Sequence, residues 1–456
     1  MAGHERFHFK NLEELRQRIY ELHVAVHLSE DTEILGRPVR IGDKIAPNAF
    51  AVLPMEGCDS LRDGSPSELV HRRYRRFAEG GAGLLWWEAN AIVEEGRAND
   101  RQMMLTNKNV SAFRKLVSDT LTAAKEANGP THRPINILQL THSGRYARPV
   151  GHKPAPIVPQ HDPILDPRVG LEPDAPVCTD EYLDGLVERY VDSALLAKQA
   201  GFDGVDIKAC HRYLMSEILA CHTRPGKYGG SFENRSRLLL NVINQVKEAC
   251  GKDFIVACRF NVFDAHPYPY GFGVDSENPW KFSPDEPLRL VREMIKAGVE
   301  LLSNSAGNPY YIYPQVTRPF DSSSMGIPIP EEHPLESIAR LFDFTRQIQQ
   351  AASNIPVVGN GYSWLRQFIP YAGAANLLAG SCRFVGMGRQ SFAYPSCVRD
   401  FLRDGAMDAN KCCITCSKCT QIMRDHGTTG CVVRDAEIYA PLFRKFREEA
   451  DRRETR

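Results

Sequence analysis

Three proton-active side chains, Lys208, His211 and Tyr213, stand within six residues of one another, just past the short apolar run GVDI (204–207). An amine, an imidazole and a phenol at the end of a buried strand can hold a substrate oxygen and move a proton. A second concentration of chemistry lies near the C-terminus, where five of the thirteen cysteines crowd into Cys412–Cys431. Cys413, Cys416, Cys419 and Cys431 follow the spacing C-x2-C-x2-C-x11-C. Four thiolates from one short segment suit a tetrahedral zinc or a cubane iron–sulfur cluster. A zinc knot tying down the tail and a disulfide pair are the structural alternatives, and Cys412 is an alternative ligand to Cys413. The remaining eight cysteines read as small buried hydrophobes or free thiols.

A third set is built of glycine. Gly359-Asn360-Gly361 and Gly386-Met387-Gly388-Arg389 both end short apolar runs, where backbone N–H groups approach an anion and Arg389 adds a charged fork. Gln139 offers an amide to a heterocycle edge. Arg259 suits a developing negative charge or, equally, a structural ion pair.

The elements that carry these groups alternate regularly. Apolar runs at 49–55, 83–89, 135–140, 204–207, 254–260, 300–305, 356–361 and 383–388 are separated by helical patterns. Eight strands with interposed helices predict a parallel (β/α)8 barrel, an α/β fold whose chemistry sits on the loops after the strands. The loop after the third run is Pro-rich and basic, and those after the fifth and sixth are long and aromatic, serving either function or packing at the rim. An amphipathic helix over residues 8–27 predicts an N-terminal cap. The expected organisation is a helical extension (1–35), the barrel (36–405), and a cysteine-cluster extension ending in a charged helix (406–456).

Lys plus Arg equals Asp plus Glu at 56 each, which argues against nucleic acid or an anionic membrane as partner. No apolar run approaches the roughly 20 residues of a membrane span, and the charged N-terminus is unlike a signal peptide. A cytoplasmic protein, acting on a small molecule and forming a homo-oligomer, is expected.

In both sequence and order, PNAFAVLPMEG, GLLWWEA, LQLTHSGR, the YL and YGGSFENRSR of 213–237, and GNG…FVGMGR resemble the old yellow enzyme family over about residues 35–400. The resemblance implies a barrel binding FMN, with Pro54, Met55 and Ala89 flanking the isoalloxazine. It implies Gln139 on the pyrimidine edge, Arg259 on the N1/C2 oxygen side, and Gly361, Gly388 and Arg389 on the phosphate. The cysteine spacing resembles the trimethylamine dehydrogenase and 2,4-dienoyl-CoA reductase branch, which carries a [4Fe–4S] cluster after its barrel. The dinucleotide-binding domains of that branch are not expected here. Reducing equivalents are therefore expected from NAD(P)H in the substrate pocket or from a separate electron-transfer protein through the cluster.

Two departures stand out. Glu56 takes the place of a small residue, threonine or cysteine near the flavin, where a carboxylate would repel the reduced form unless protonated or paired. Lys208 and His211 replace the family's His with His or Asn, putting a point charge where an imidazole is usual. The leading expectation is an ene-reductase. In it Lys208 and His211 hold the oxygen of an enoyl thioester, enone or enoate, and Tyr213, unless it is a plain core aromatic, protonates the α-carbon. Two alternatives remain. One is oxidation of an amine in a cage of Tyr268, Tyr270, Tyr310, Tyr311 and Tyr313, with electrons leaving through the cluster. The other is a zinc-bearing scaffold with no catalytic role.

Overall fold

The computed structural model describes residues 4–311 and 321–454. Eight parallel strands close into a barrel: β3 (Phe50–Val52), β4 (Leu84–Ala91), β5 (Ile135–Thr141), β6 (Gly204–Ile207), β7 (Ile255–Phe263), β8 (Leu301–Ala306), β9 (Val357–Gly359) and β10 (Phe384–Met387), with β10 pairing back onto β3. Each expected apolar run overlaps one of them, and β4, β5, β7 and β8 continue one to three residues past the end of theirs. An antiparallel hairpin that the sequence pattern did not announce, β1 (Val39–Ile41) and β2 (Lys44–Ala46), precedes the barrel.

Side-chain alternation along the strands divides the core in two. Leu84 and Trp86, Ile135 and Ile137, and Ile255 and Ala257 belong to one apolar cluster, which Ile41 and Ala46 of the hairpin join from the N-terminal end. The intervening Leu85, Trp87, Leu138, Val256 and Cys258 pack outward with the surrounding helices. One step further along, the inward series turns polar, at Gln139, Asp206 and Arg259. The barrel is thus an apolar plug with a polar upper layer.

The helices start where side-chain oxygens cap their first turns. Ser67 accepts from Val70 N, Thr179 from Tyr182 N and Ser231 from Asn234 N, each such cap contributing about 1 kcal/mol. YGGSFENRSR is a brace: Asn234 Nδ2 donates to Gly229 O (3.0 Å), and buried Arg235 donates to Leu219 O (2.6 Å) and pairs with Glu286. The expected helix over 8–27 is shorter, Leu12–Glu21: Asn11 caps its start, and His23 at φ 53° ends the run. The C-terminal helix spans Ala436–Glu454. Among the described residues no helix is long and apolar enough to cross a membrane.

Candidate active site

A cleft of about 1250 Å³ opens at the C-terminal end of the barrel. It is lined by Pro54, Met55, Glu56, Gln139, Lys208, His211, Tyr213, Arg259, Gly361, Gly388 and Arg389. Of the residues expected around an isoalloxazine, Ala89 alone is not on this wall. It is buried beside Gln139, after an irregularity that breaks the β4–β5 register.

The floor is organised by a residue the sequence reading passed over. Asp206 accepts from Trp86 Nε1 (2.8 Å), Gln139 Nε2 (2.6 Å) and the backbone N of Arg259 (2.8 Å). These bonds fix the Gln139 amide and the start of the Arg259 side chain. Burial nevertheless outweighs them and pushes the Asp206 carboxyl up to about 6. Its only signal in the sequence is an acid inside the apolar run GVDI. Arg259 Nη1 donates to Pro54 O (3.3 Å), while its buried Nε has no partner among the described residues. An orphaned guanidinium N–H in a buried layer costs about 1–3 kcal/mol unless a ligand accepts from it.

The wall is a strained turn. His211 and Arg212 both adopt left-handed φ, 65° and 59°, at about 1 kcal/mol or more each for non-glycine residues. The strain is held by ion pairs from buried Arg212 to Asp264 (2.9 Å) and Asp162 (3.5 Å), and by Asn261 Oδ1 accepting from His211 N (3.1 Å). The turn aims His211 at Ser305 Oγ (3.1 Å) and puts Tyr213 at the head of the short helix Leu214–Leu219. Arg212 was not anticipated, because two of its three carboxylate partners, Asp162 and Asp264, lie 50 and 52 residues away in the chain.

Glu56 is paired. Lys208 Nζ donates to its Oε2 (3.2 Å), Gln102 Nε2 to its Oε1 (2.5 Å) and Tyr213 Oη to its Oε2 (3.3 Å). The like-charge problem expected of a carboxylate here is met by the protein's own ammonium. Lys208, at 2% side-chain exposure, also sits 3.8 Å from the centroid of the Tyr213 ring. Burial first, then the Glu56 charge, hold the Tyr213 phenol well above its ordinary pKa, so it keeps its proton at neutral pH. Its hydroxyl lies 2.9 Å from that of Tyr310, whose ring stacks on Tyr146 at 4.0 Å, and Asn308 Nδ2 donates to Tyr146 Oη (2.7 Å).

Of the tyrosines expected to form a cation cage, Tyr310 lines the cleft. Tyr268 packs on His222, and Tyr311 packs under Arg168, both away from it. Tyr270 is not on the cleft wall, and Tyr313 lies outside the described residues. The cations over aromatic faces on this wall include Lys208 over Tyr213 at 3.8 Å and Arg424 over Tyr310 at 5.9 Å.

At the far end, Gly361 has φ 93° and would strain any side chain. A Cβ on Gly388 would meet Met55 Sδ at 3.3 Å. Arg389, which donates to Thr420 Oγ1 (3.0 Å), lines this end of the cleft with the two glycines, at the last two strands where the phosphate was expected.

The cysteine segment closes over this end. Cys413, Cys416, Cys419 and Cys431 line a small void, together with Phe392, Arg389 and Arg434. Thr415 N donates to Cys413 Sγ and Arg434 N to Cys431 Sγ, both at 3.3 Å. Cys412 turns away: Gln390 Nε2 donates to its sulfur (3.3 Å), which in turn donates to Asp408 O (3.4 Å). Among the described residues no three His, Cys, Asp or Glu side chains converge on the position of a single ion. Cys419, Arg389 and Phe392 line both this void and the cleft. The segment is fastened to the barrel by buried Arg73, which donates to Thr429 O (2.9 Å) and pairs with Asp59 and with Glu88 (2.6 Å).

Comparison with known proteins places this architecture. The chain is 28% identical over 386 residues to an NADH oxidase of Thermoanaerobacter brockii, covering 83% of this chain and 52% of that protein. It is 24% identical over 420 residues to a cinnamate reductase of Clostridium sporogenes, covering 90% and 58%. Among solved structures, histamine dehydrogenase from Rhizobium sp. 4-9 superposes with a TM-score of 0.66 at 23% identity, over 88% of this chain and 52% of that one. The chain thus spans just over half the length of these relatives. Residues 35–269 match the family model described as NADH:flavin oxidoreductase / NADH oxidase, and the chain belongs to that family.

Proposed function

We propose that the protein is an FMN-dependent ene-reductase acting on the C=C bond of an α,β-unsaturated carbonyl compound, with a [4Fe–4S] cluster beside the flavin. The observation that carries this reading is the placement of a protonated phenol, Tyr213, with Lys208 and His211 on the wall of the same cleft whose floor and end fit a flavin phosphate. The orphaned Nε of Arg259, the Gln139 amide and the glycines at 361 and 388 are the features an FMN would complete. When bound, FMN supplies the two-electron chemistry, taking reducing equivalents from NAD(P)H or the cluster and delivering them to an alkene carbon.

The chain's own residues do the rest. The Lys208 ammonium has three N–H donors, so bonding to Glu56 leaves others for a substrate carbonyl or carboxyl oxygen. With His211 it polarises the alkene and stabilises the enolate oxygen. Tyr213 then gives its proton to the α-carbon, and the Lys208 charge over its ring stabilises the phenolate left behind. Arg259 balances negative charge on the pyrimidine side. Cys413, Cys416, Cys419 and Cys431 would hold the cluster, and the shared wall at Cys419 gives electrons a short route to the flavin end of the cleft.

Tyr213→Phe tests the reading. In anaerobic stopped-flow, flavin reduction by NAD(P)H stays within twofold of wild type, while alkene reduction slows at least 100-fold, the usual scale of a positioned acid. Unchanged alkene turnover refutes the proton-donor role. Flavin reduction by an amine, with no enone or enoate turned over, favours the dehydrogenase direction instead.

A further inference from the structure

In the proposed reaction Tyr213 gives up a proton in every turnover and must regain one before the next. It does not take that proton straight from bulk water, because the residue is only 2% exposed. Two groups hydrogen-bond with its hydroxyl among the described residues. Glu56 Oε2 accepts from it at 3.3 Å, and the Tyr310 hydroxyl lies at 2.9 Å. Lys208 sits over the ring at 3.8 Å but is itself only 2% exposed.

Glu56 reaches further out. Its side chain is 15% exposed and lines both the cleft and a second cavity, which shares Tyr310, Met423 and Arg424 with the first. Asn99, Arg148 and His426 also line this outer cavity, giving it the polar groups that hold water. Glu56 is the one carboxylate among its described lining residues. One side chain thus touches the buried phenol at one end and a polar, water-accessible space at the other.

A carboxyl group suits this transfer better than a second phenol. Protonated, it donates from one oxygen and still accepts on the other, so uptake and delivery need not coincide. Gln102 Nε2, donating to Oε1 (2.5 Å), and Lys208 Nζ, donating to Oε2 (3.2 Å), keep Glu56 in place meanwhile. Burial first, and then the Glu56 charge, hold the Tyr310 phenol above its ordinary pKa. A route through Tyr310 would therefore pass by way of a disfavoured phenolate.

We infer that Glu56 is the residue through which Tyr213 exchanges its proton with water in the outer cavity. In the reductive direction the Tyr213 proton goes to the α-carbon and leaves a phenolate. The Glu56 carboxylate takes a proton from water or a buffer acid in the outer cavity, releasing hydroxide or the conjugate base. Its new O–H protonates the phenolate oxygen, which restores both Tyr213 and the carboxylate. One solvent proton is consumed per alkene, beside the hydride. The identity of the reaction rests on the ene-reductase reading, but the route does not, because a proton leaving Tyr213 in the oxidative direction runs the same path backwards.

The test follows the Tyr213 hydroxyl in oxidised holoenzyme carrying tyrosine labelled with 13C at Cζ, whose NMR signal shifts when the hydroxyl holds deuterium. Loss of the signal in Tyr213→Phe assigns it. Glu56→Gln slows hydroxyl exchange with solvent by about tenfold or more, the lower end of what a positioned acid–base group supplies. Glu56→Asp, which keeps an acid, recovers part of the rate, and Tyr310→Phe slows exchange less than Glu56→Gln does. Unchanged or faster exchange in Glu56→Gln, no recovery in Glu56→Asp, or a larger loss in Tyr310→Phe overturns the relay. If Glu56→Gln purifies without flavin, its combination with Lys208→Met leaves no charge unpaired and carries the same comparison. Because no alkene enters, exchange through Glu56 in a protein that reduces no enone or enoate refutes the ene-reductase reading and leaves the relay standing.

Discussion

Replacing Lys208 by Met removes a buried ammonium and leaves Glu56 facing the Gln102 amide and the Tyr213 hydroxyl. The pair is 3.2 Å apart, with side-chain exposures of 2% and 15%. At an effective dielectric of about 20 its Coulomb energy is about 5 kcal/mol. The variant does not lose all of that, because an orphaned carboxylate escapes by taking up a proton. For an ordinary carboxyl with a pKa of about 4.3, protonation at pH 7 costs about 3.7 kcal/mol, and at pH 5 about 1 kcal/mol. The expected destabilisation is therefore about 3–4 kcal/mol at pH 7, in line with the loss of one partner of a buried pair, and about 1 kcal/mol at pH 5. Lys208→Met combined with Glu56→Gln recovers most of the loss at pH 7, since no charge is then left unpaired. Urea unfolding of the wild type, the two single variants and the double variant, at both pH values and one fixed FMN concentration, measures this. An equal loss at pH 5 and pH 7, or a double variant as unstable as the single one, refutes the electrostatic account of this site.

Two further predictions follow from buried groups. Asp206 has its folded pKa raised to about 6, so the native state holds that proton more tightly than the unfolded chain does. Its contribution is present in full below about pH 4, falls as pH rises to 6 and is absent above, a change of about 3 kcal/mol. Asp206→Asn therefore gains relative stability of about that size between pH 4 and pH 7 in urea titrations, and a pH-independent difference from wild type refutes the shift. Cys413→Ser loses iron and acid-labile sulfide in anaerobically purified protein, whereas Cys412→Ser keeps both. Stoichiometric zinc without sulfide in the wild type removes the cluster from the picture.

The sequence by itself determined the barrel and most of the cleft. Strands buried on both faces must be apolar runs, so each of the eight was legible as such, and inward-pointing Gln139 and Arg259 followed from their places on those runs. The glycines at 361 and 388 were legible as the ends of the last two apolar runs, and both line the cleft. The cysteine spacing was legible because the thiols of one segment need no distant partner.

What the tertiary structure alone decided were pairings across long stretches of chain. Glu56 and Lys208 are 152 residues apart, and nothing local to either says that the carboxylate neutralises the ammonium. Cys412 and Cys413 are told apart by Gln390, whose amide donates to the Cys412 sulfur, while Cys413 faces the void with the other three cysteines. Asp206 looked like a blemish in an apolar strand until three donors from β4, β5 and β7 converged on it. The aromatic loops were expected to gather their tyrosines, but the fold took Tyr146 and Tyr310 from different loops and stacked them as a partition. Local pattern records how each strand and turn is built. Charge compensation in a buried site is a property of the closed barrel, because only there do distant groups share one low-dielectric space.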